Sequence, residues 1–144
     1  MAKPGARMQK SFNGFFVWLF RKRKGRLAFR GAPTLILHTV GRKTGEPRET
    51  PLLYLDLGDG RLAVVGSNGG DDRTPAWVLN LAAKPAVEAE LRGGTRVPYS
   101  AGIADAAERA ALWPRLVEMY KSYASYQTKT DREIPVIVLA PITA

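Results

Sequence analysis

The chain contains no cysteine, so disulfides and thiolate metal ligands are excluded. Histidine occurs once, at His38, which argues against His-rich metal sites and Ser-His-Asp chemistry. No metal is expected. Acidic residues are missing from the whole N-terminal third: no Asp or Glu precedes Glu46, while residues 1–45 carry eleven Lys/Arg. The remaining 99 residues hold eleven basic and thirteen acidic side chains, a net of −2. The overall charge of +9 therefore belongs to an N-terminal arm and one loop. A field so placed attracts an anion: nucleic acid, a membrane surface or a phosphorylated small molecule. Long apolar runs are also lacking. SFNGFFVWLF at 11–20 is too short to span a bilayer, and cations follow it rather than precede it, unlike a signal peptide. Repeats and low-complexity segments are absent.

What is present suits one globular domain: 144 residues, 45% of them hydrophobic, are enough to bury a core. Phe12, Phe15, Phe16 and Leu19 fall on one helical face and run into RKRK at 21–24. Two readings are open for this segment. It is a helix in a membrane interface, with Trp18 in the apolar layer and the cations on anionic lipid, or a helix that caps the fold. TLILHTV (34–40), TPLLYLDL (50–57), RLAVVG (61–66), VEAEL (87–91), TRVPYSAGI (95–103) and IPVIVLA (134–140) read as strands, with a hairpin turn at Asp59-Gly60. PAWVLNLAAK (75–84) reads as a short helix with Thr74 as N-cap and Pro75 as its first residue. Asp105 and Glu108 form a capping box for a later helix, which Pro114 should break or restart. Leu112, Leu116, Met119, Tyr123 and Tyr126 make a stripe along one side of it. About six mostly antiparallel strands with two or three helices give an α+β fold on a small β-barrel. The expected division is a basic, apolar arm over 1–30 and a single domain over 31–144.

Three segments carry candidate chemistry. Thr39–Leu55, TVGRKTGEPRETPLLYL, places Arg42, Lys43 and Arg48 within seven residues, on a turn shaped by Gly41 and Gly45. Arginine forks onto phosphate or carboxylate oxygens, lysine acts as a mobile charge, and Thr44 adds a hydroxyl. The order of residues is not that of a Walker A loop. The plain alternative is a solvated hairpin turn. In the second segment, GSNGG (66–70) follows a strand and leads towards Trp77 and Asn80, a flat surface and an amide near a helix N-terminus. The third, MYKSYASYQ (119–127), offers Tyr120, Tyr123 and Tyr126 as a pocket wall or simply as packing. His38 sits mid-strand and reads as structural, not as a base.

The motifs L-H-T-V-G-R-K-T-G-E-P-R-E-T-P-L, G-S-N-G-G, P-A-W-V-L-N-L-A-A-K-P, the Y-x-x-Y of SYASYQ and the D-R-x-I-P-V-I end together resemble the deazaflavin-dependent nitroreductase family. That family belongs to the split β-barrel (FMN-binding-like) flavin and deazaflavin oxidoreductases. The resemblance implies a split barrel with helices packed outside, and reduced coenzyme F420 as hydride donor. FMN fits less well, because its single short phosphate leaves cations unexplained. F420 carries a phosphodiester-linked lactyl and oligoglutamate tail. By the resemblance, Arg42, Lys43, Thr44 and Arg48 grip that tail, and Thr50, Pro51, Leu52 and Leu53 run beside the ribityl chain and ring. Val65, Gly66, Ser67 and Asn68 meet the deazaflavin edge, and Ala76, Trp77, Val78, Leu79 and Asn80 close the phosphate side. Tyr123 approaches the ring, while Leu53 and Tyr126 border the acceptor. Tyr123, Tyr126 and Ser67 are the candidates for donating a proton or stabilising an oxyanion. The implied acceptor is a quinone, a nitro compound or an activated enone, and the apolar arm favours a lipophilic one such as a membrane quinone. The rival readings are a non-catalytic binder of F420, flavin, haem or lipid, and a basic nucleic-acid or membrane module; nucleic acid is not the expected partner. The expected location is cytoplasmic, or peripheral at the inner face of the plasma membrane.

Overall fold

A computed structural model describes the backbone of residues 4–142 and the side chains from residue 13 to 142. Helix α1 (Pro4–Lys22) leads into a short strand β1 (Ala28–Phe29), then β2 (Ala32–Val40), β3 (Pro47–Leu53), β4 (Leu55–Asp56) and β5 (Leu62–Val65). A 3-10 turn at Asn68–Gly70 and helix α2 (Ala76–Ala83) follow, then β6 (Ala86–Glu90) and β7 (Arg96–Ile103). Helices α3 (Ala106–Met119) and α4 (Ser122–Thr128) precede the last strand, β8 (Val136–Pro141).

Every strand pairing is antiparallel. The sheet runs β2-β6-β7-β8-β5-β4, and β3 pairs with the other edge of β2. Since only Tyr54 separates β3 from β4, residues 47–56 act as one kinked strand, its first half on β2 and its second on β5. The sheet therefore curls back on itself as a split barrel. Strand periodicity explains what fills it. Leu35, Leu37, Val64, Val87, Ala89, Ile137 and Leu139 point inward, and Trp77, Val78 and Leu81 of α2 plug the interior. The alternate residues point outward, where helices cover them. Ile36 meets Val17 and Phe20 of α1, while Ala63, Val65, Val136 and Val138 meet Leu112, Leu116 and Tyr123. Burial on both faces is why TLILHTV and IPVIVLA read as near-continuous apolar runs.

Four local expectations change. The side of α1 facing the barrel carries Val17 and Phe20; Phe15 and Trp18 are more than half exposed, and the side chain of Phe12 lies outside the described residues. With apolar residues at 15, 16, 17, 18, 19 and 20, either face could have been chosen, and the complementary surface of Ile36 and Leu27 decided it. Thr74 does not cap α2: Pro75 occupies the N-cap without a side-chain bond, and its carbonyl accepts from Val78 at 3.1 Å. Pro114 does not interrupt α3, because burial of Leu112 and Leu116 against the sheet offsets a penalty of about 3 kcal/mol for proline within a helix. The aromatic stripe instead divides at Tyr120, the extended C-cap of α3, so Tyr123 and Tyr126 ride on a separate helix. The Asp105 cap forms as expected, accepting from the Glu108 amide at 2.9 Å.

Candidate functional site: a cationic groove joined to a tyrosine-lined cavity

Two adjoining hollows open between α1, β3, the 66–75 loop and α2. The larger is a groove of about 1140 Å³ whose walls include Arg48, Thr50, Pro51, Leu52, Val65, Ser67, Asn68, Ala76, Trp77 and Asn80. Asn13, Gly14 and Val17 of α1 roof it. The smaller is a mainly apolar cavity of about 320 Å³, lined by Phe16, Phe29, Leu53, Tyr120, Tyr123 and Tyr126 among others. Both hollows touch Asn13, Pro51, Leu52, Val65, Ser67 and Gly69, so a single ligand or a pair of ligands can meet there.

The basic loop is built before any ligand arrives. Gly41 N–H donates to Glu46 O and Gly45 N–H to Gly41 O, both at 2.8 Å, which closes the turn between β2 and β3. The Thr44 hydroxyl accepts from the Glu46 amide (3.2 Å) and from Arg48 Nη2 (3.3 Å), orienting that guanidinium. The buried Asn80 side chain accepts both from the Arg42 amide (3.1 Å) and from Arg42 Nη1 (2.9 Å). Asn80 thus ties the anion loop to α2. Lys43 is exposed and makes no ion pair among the described residues.

The 66–71 loop is packed as tightly as core. A Cβ on Gly66 would lie 2.8 Å from Val78 Cγ2, and one on Gly70 would lie 2.8 Å from the Tyr126 carbonyl oxygen. Positive φ at Asn68, Gly69 and Gly70 bends the backbone across the top of β5, a conformation that glycine and asparagine tolerate. Arg132, which the sequence reading left without a role, clasps this loop. Its Nε donates to Asp71 O (2.8 Å), its Nη2 to Ser67 O (2.9 Å), and the same fork reaches Gly66 O at 3.3 Å. Gln127 on α4 donates to the Arg132 carbonyl (2.8 Å), accepts from the Ile134 amide (2.9 Å) and accepts from Arg109 Nη2 (3.1 Å). One network therefore connects the groove loop to the helix that bears the tyrosines.

In the cavity the Tyr120 and Tyr126 hydroxyls lie 3.2 Å apart. Tyr120 and Tyr123 meet edge to face with centroids 4.9 Å apart, and Phe29 contacts Tyr120. Burial, with a smaller contribution from the two neighbouring phenols, pushes Tyr123 well above the ordinary phenol value. Burial also opposes ionisation of Tyr120, but hydrogen bonds with Tyr126 and Ser122 and the charge of Arg30 outweigh it, leaving Tyr120 below the ordinary value. Its bond to Tyr120, then burial, raises Tyr126. The hydroxyl contact thus couples the titration of Tyr120 to that of Tyr126.

Of the expected site residues, ten line the groove, and Leu53, Tyr123 and Tyr126 line the cavity. Val78 is turned into the barrel core instead, and Leu79 is exposed outside both hollows. Arg42, Lys43 and Thr44 belong to the loop beside Arg48, and Gly66 is buried backbone packed against Val78 and Pro135. His38 Nε2 lies 3.0 Å from the buried Glu90 carboxylate, a structural partner, and His38 lines neither hollow. No cluster of His, Asp and Glu able to hold a metal occurs among the described residues, and no helix there is long and apolar enough to cross a membrane.

The profile of the F420H(2)-dependent quinone reductase family matches residues 14–141. An F420H(2)-dependent quinone reductase of Mycobacterium tuberculosis is 42% identical over 129 residues, covering 84% of each chain. A solved F420-H2 dependent reductase (FDR-A) superposes with a TM-score of 0.67 at 38% identity, over 74% of this chain and 93% of that one. A pyridoxamine 5'-phosphate oxidase-related, FMN binding protein from Nostoc punctiforme, 15% identical with a TM-score of 0.51 over 91% of this chain and 80% of that one, shares the split-barrel fold. The chain belongs to the F420H2-dependent quinone reductase family.

Proposed function

We propose that this F420H2-dependent quinone reductase holds its cofactor in the cationic groove and its quinone in the tyrosine-lined cavity. The observation that carries the assignment is the junction of the two hollows at Val65, Ser67 and Gly69, with Arg48 of the basic loop lining one and paired phenols in the other. The residues fit F420: the groove is large enough for a ring and a tail, Trp77 offers a flat wall, and Arg42, Lys43 and Arg48 match a polyanion.

When bound, F420H2 supplies the hydride, so the protein needs no acid-base triad of its own. Its residues position the partners and manage charge. Arg42, fixed by Asn80, and Arg48, oriented by Thr44, bind the anionic tail without reorganising. Pro51, Leu52, Leu53 and Val65 exclude water where the two ligands meet. Quinone reduction needs a hydride and a proton, with negative charge developing on a quinone oxygen. Tyr120 and Tyr126 share one hydroxyl contact that can stabilise that oxygen and pass it a proton. Ser67, at the junction, is the third candidate. Nitro compounds and enones offer similar oxygen or carbon acceptors and belong to the same reading. The test is anaerobic single-turnover oxidation of F420H2 by menadione: Tyr120→Phe and Tyr126→Phe should each slow it about tenfold or more. Unchanged rates in both would remove the phenols from the mechanism.

A specific observation also favours contact with an anionic membrane. Phe15 and Trp18 are exposed side by side on the outer face of α1, with Lys22 4.9 Å over the Trp18 ring and Arg23 and Lys24 following. Co-sedimentation with phosphatidylglycerol vesicles should be lost in Phe15→Ser/Trp18→Ser; binding that survives this change would reject the contact.

A further inference from the structure

The groove that meets the anionic cofactor also contains two carboxylates, Glu49 and Asp71. Left bare, each would repel a polyanion. Asp71 is paired locally: Arg73 donates to it at 3.2 Å and holds it at about 2. Glu49 has no such neighbour on its own strand. Its partner arrives from α1, where Arg21 Nη2 donates to Glu49 Oε2 at 2.5 Å. The same guanidinium donates through Nε and Nη2 to the buried carboxylate of Glu90, both at 3.2 Å, and His38 holds Glu90 from the other side. Arg21 thus spans three elements, fixing α1 to β3 and β6 across the outer face of β2.

We propose that Arg21 is a charge-compensating residue for the cofactor: it neutralises Glu49 in the groove. This rests on the placement of F420 made above. The roof consists of Asn13, Gly14 and Val17, one to two turns N-terminal to Arg21, and Asn13 also borders the tyrosine cavity. Apolar seating by Val17 and Phe20 holds the helix, while the Arg21 fork removes the one groove carboxylate that lacks a local cation. Among the described residues Arg21 is the cation that pairs with Glu49. Arg42 is occupied by Asn80, and Arg48 by Thr44 and Glu46.

The test is equilibrium dialysis of oxidised F420 against wild type, Arg21→Ala, Glu49→Gln and the double variant, at low and high salt. Arg21→Ala should weaken binding about tenfold at low salt, since it leaves a bare negative charge in the groove that receives a polyanion. The defect should shrink as salt screens it. Glu49→Gln alone should bind at least as tightly as wild type, and in the double variant it should restore most of the loss. The deazaflavin riboside that lacks phosphate and glutamates should bind wild type and Arg21→Ala alike. A double variant as weak as Arg21→Ala, or a riboside equally affected, would overturn compensation and leave only helix seating. Should Arg21→Ala fail to fold, Glu49→Gln still decides, because weaker binding by that variant contradicts the proposal. Wild type that binds no F420 at all would instead reject the placement on which this rests.

Discussion

Replacing Arg132 by alanine is the sharpest way to ask whether the groove depends on a preformed loop. The side chain makes two well-formed charged hydrogen bonds, to Asp71 O at 2.8 Å and Ser67 O at 2.9 Å, while the contacts to Gly66 O at 3.3 Å add little. Each charge-assisted bond contributes about 1.5–3 kcal/mol. Ser67 O keeps its second donor, the Gly70 amide at 2.9 Å, so the lower half of that range applies to it. The backbone bonds of Arg132, to Gln127 and Thr130, survive the substitution. A loss of roughly 2–4 kcal/mol in loop order results. If even 2 kcal/mol must be restored on binding, F420 affinity falls about thirtyfold. Equilibrium dialysis reads that change, and hydrogen exchange at the Gly70 and Asp71 amides reads the loosened turn. Arg132→Lys keeps the charge but not the fork and should fall between the two. Affinity within twofold of wild type together with unchanged exchange at 70 and 71 would refute the clasp.

Other consequences follow from the same contacts. Phe20→Ala, emptying a fully buried site between α1 and β2, should lower unfolding free energy by about 3–5 kcal/mol in urea titration, and a loss under 1 kcal/mol would mean that α1 is not seated there. Asn80→Ala leaves the Arg42 amide and guanidinium without their acceptor, and the Michaelis constant for F420H2 should rise about tenfold with kcat little changed. Glu90 tests linkage: burial opposes its ionisation, yet the bonds from Arg21 and His38 hold its carboxyl below the usual value. A depressed folded value contributes stability that is present above the unfolded carboxylate range and lost as pH falls through the folded value. Glu90→Gln should therefore flatten the melting temperature against pH on the acid side, and an acid limb as steep as that of wild type would contradict this.

The barrel was legible because its signals are local. Continuous apolar runs rich in branched residues mark β2 and β8, and Asp59 closes its hairpin by accepting from the Arg61 amide. Asp105 caps its helix three residues from its donor. The basic loop was legible for the same reason, since Gly41, Thr44, Glu46 and Arg48 satisfy one another within eight residues. The features that escaped depend on distance along the chain. Arg132 acts on residues 61 to 66 positions away, and Arg21 acts on Glu49 and Glu90, 28 and 69 positions away. The break between α3 and α4 escaped because the regular spacing of aromatics conceals the extended cap at Tyr120. The seam at Tyr54 was hidden for a related reason: β3 and β4 look continuous in sequence, and only their different partners divide them.

The central claim is that the cations between 42 and 48 hold the anionic tail of F420, so that its reactive head lies against the tyrosine cavity. Binding of oxidised F420 to wild type and to Arg42→Glu/Arg48→Glu, followed by tryptophan fluorescence at low salt, tests it most directly. The account predicts at least a hundredfold loss of affinity in the charge-reversed protein, with the riboside that lacks the tail bound equally by both. Equal affinity of the two proteins for F420 would contradict it.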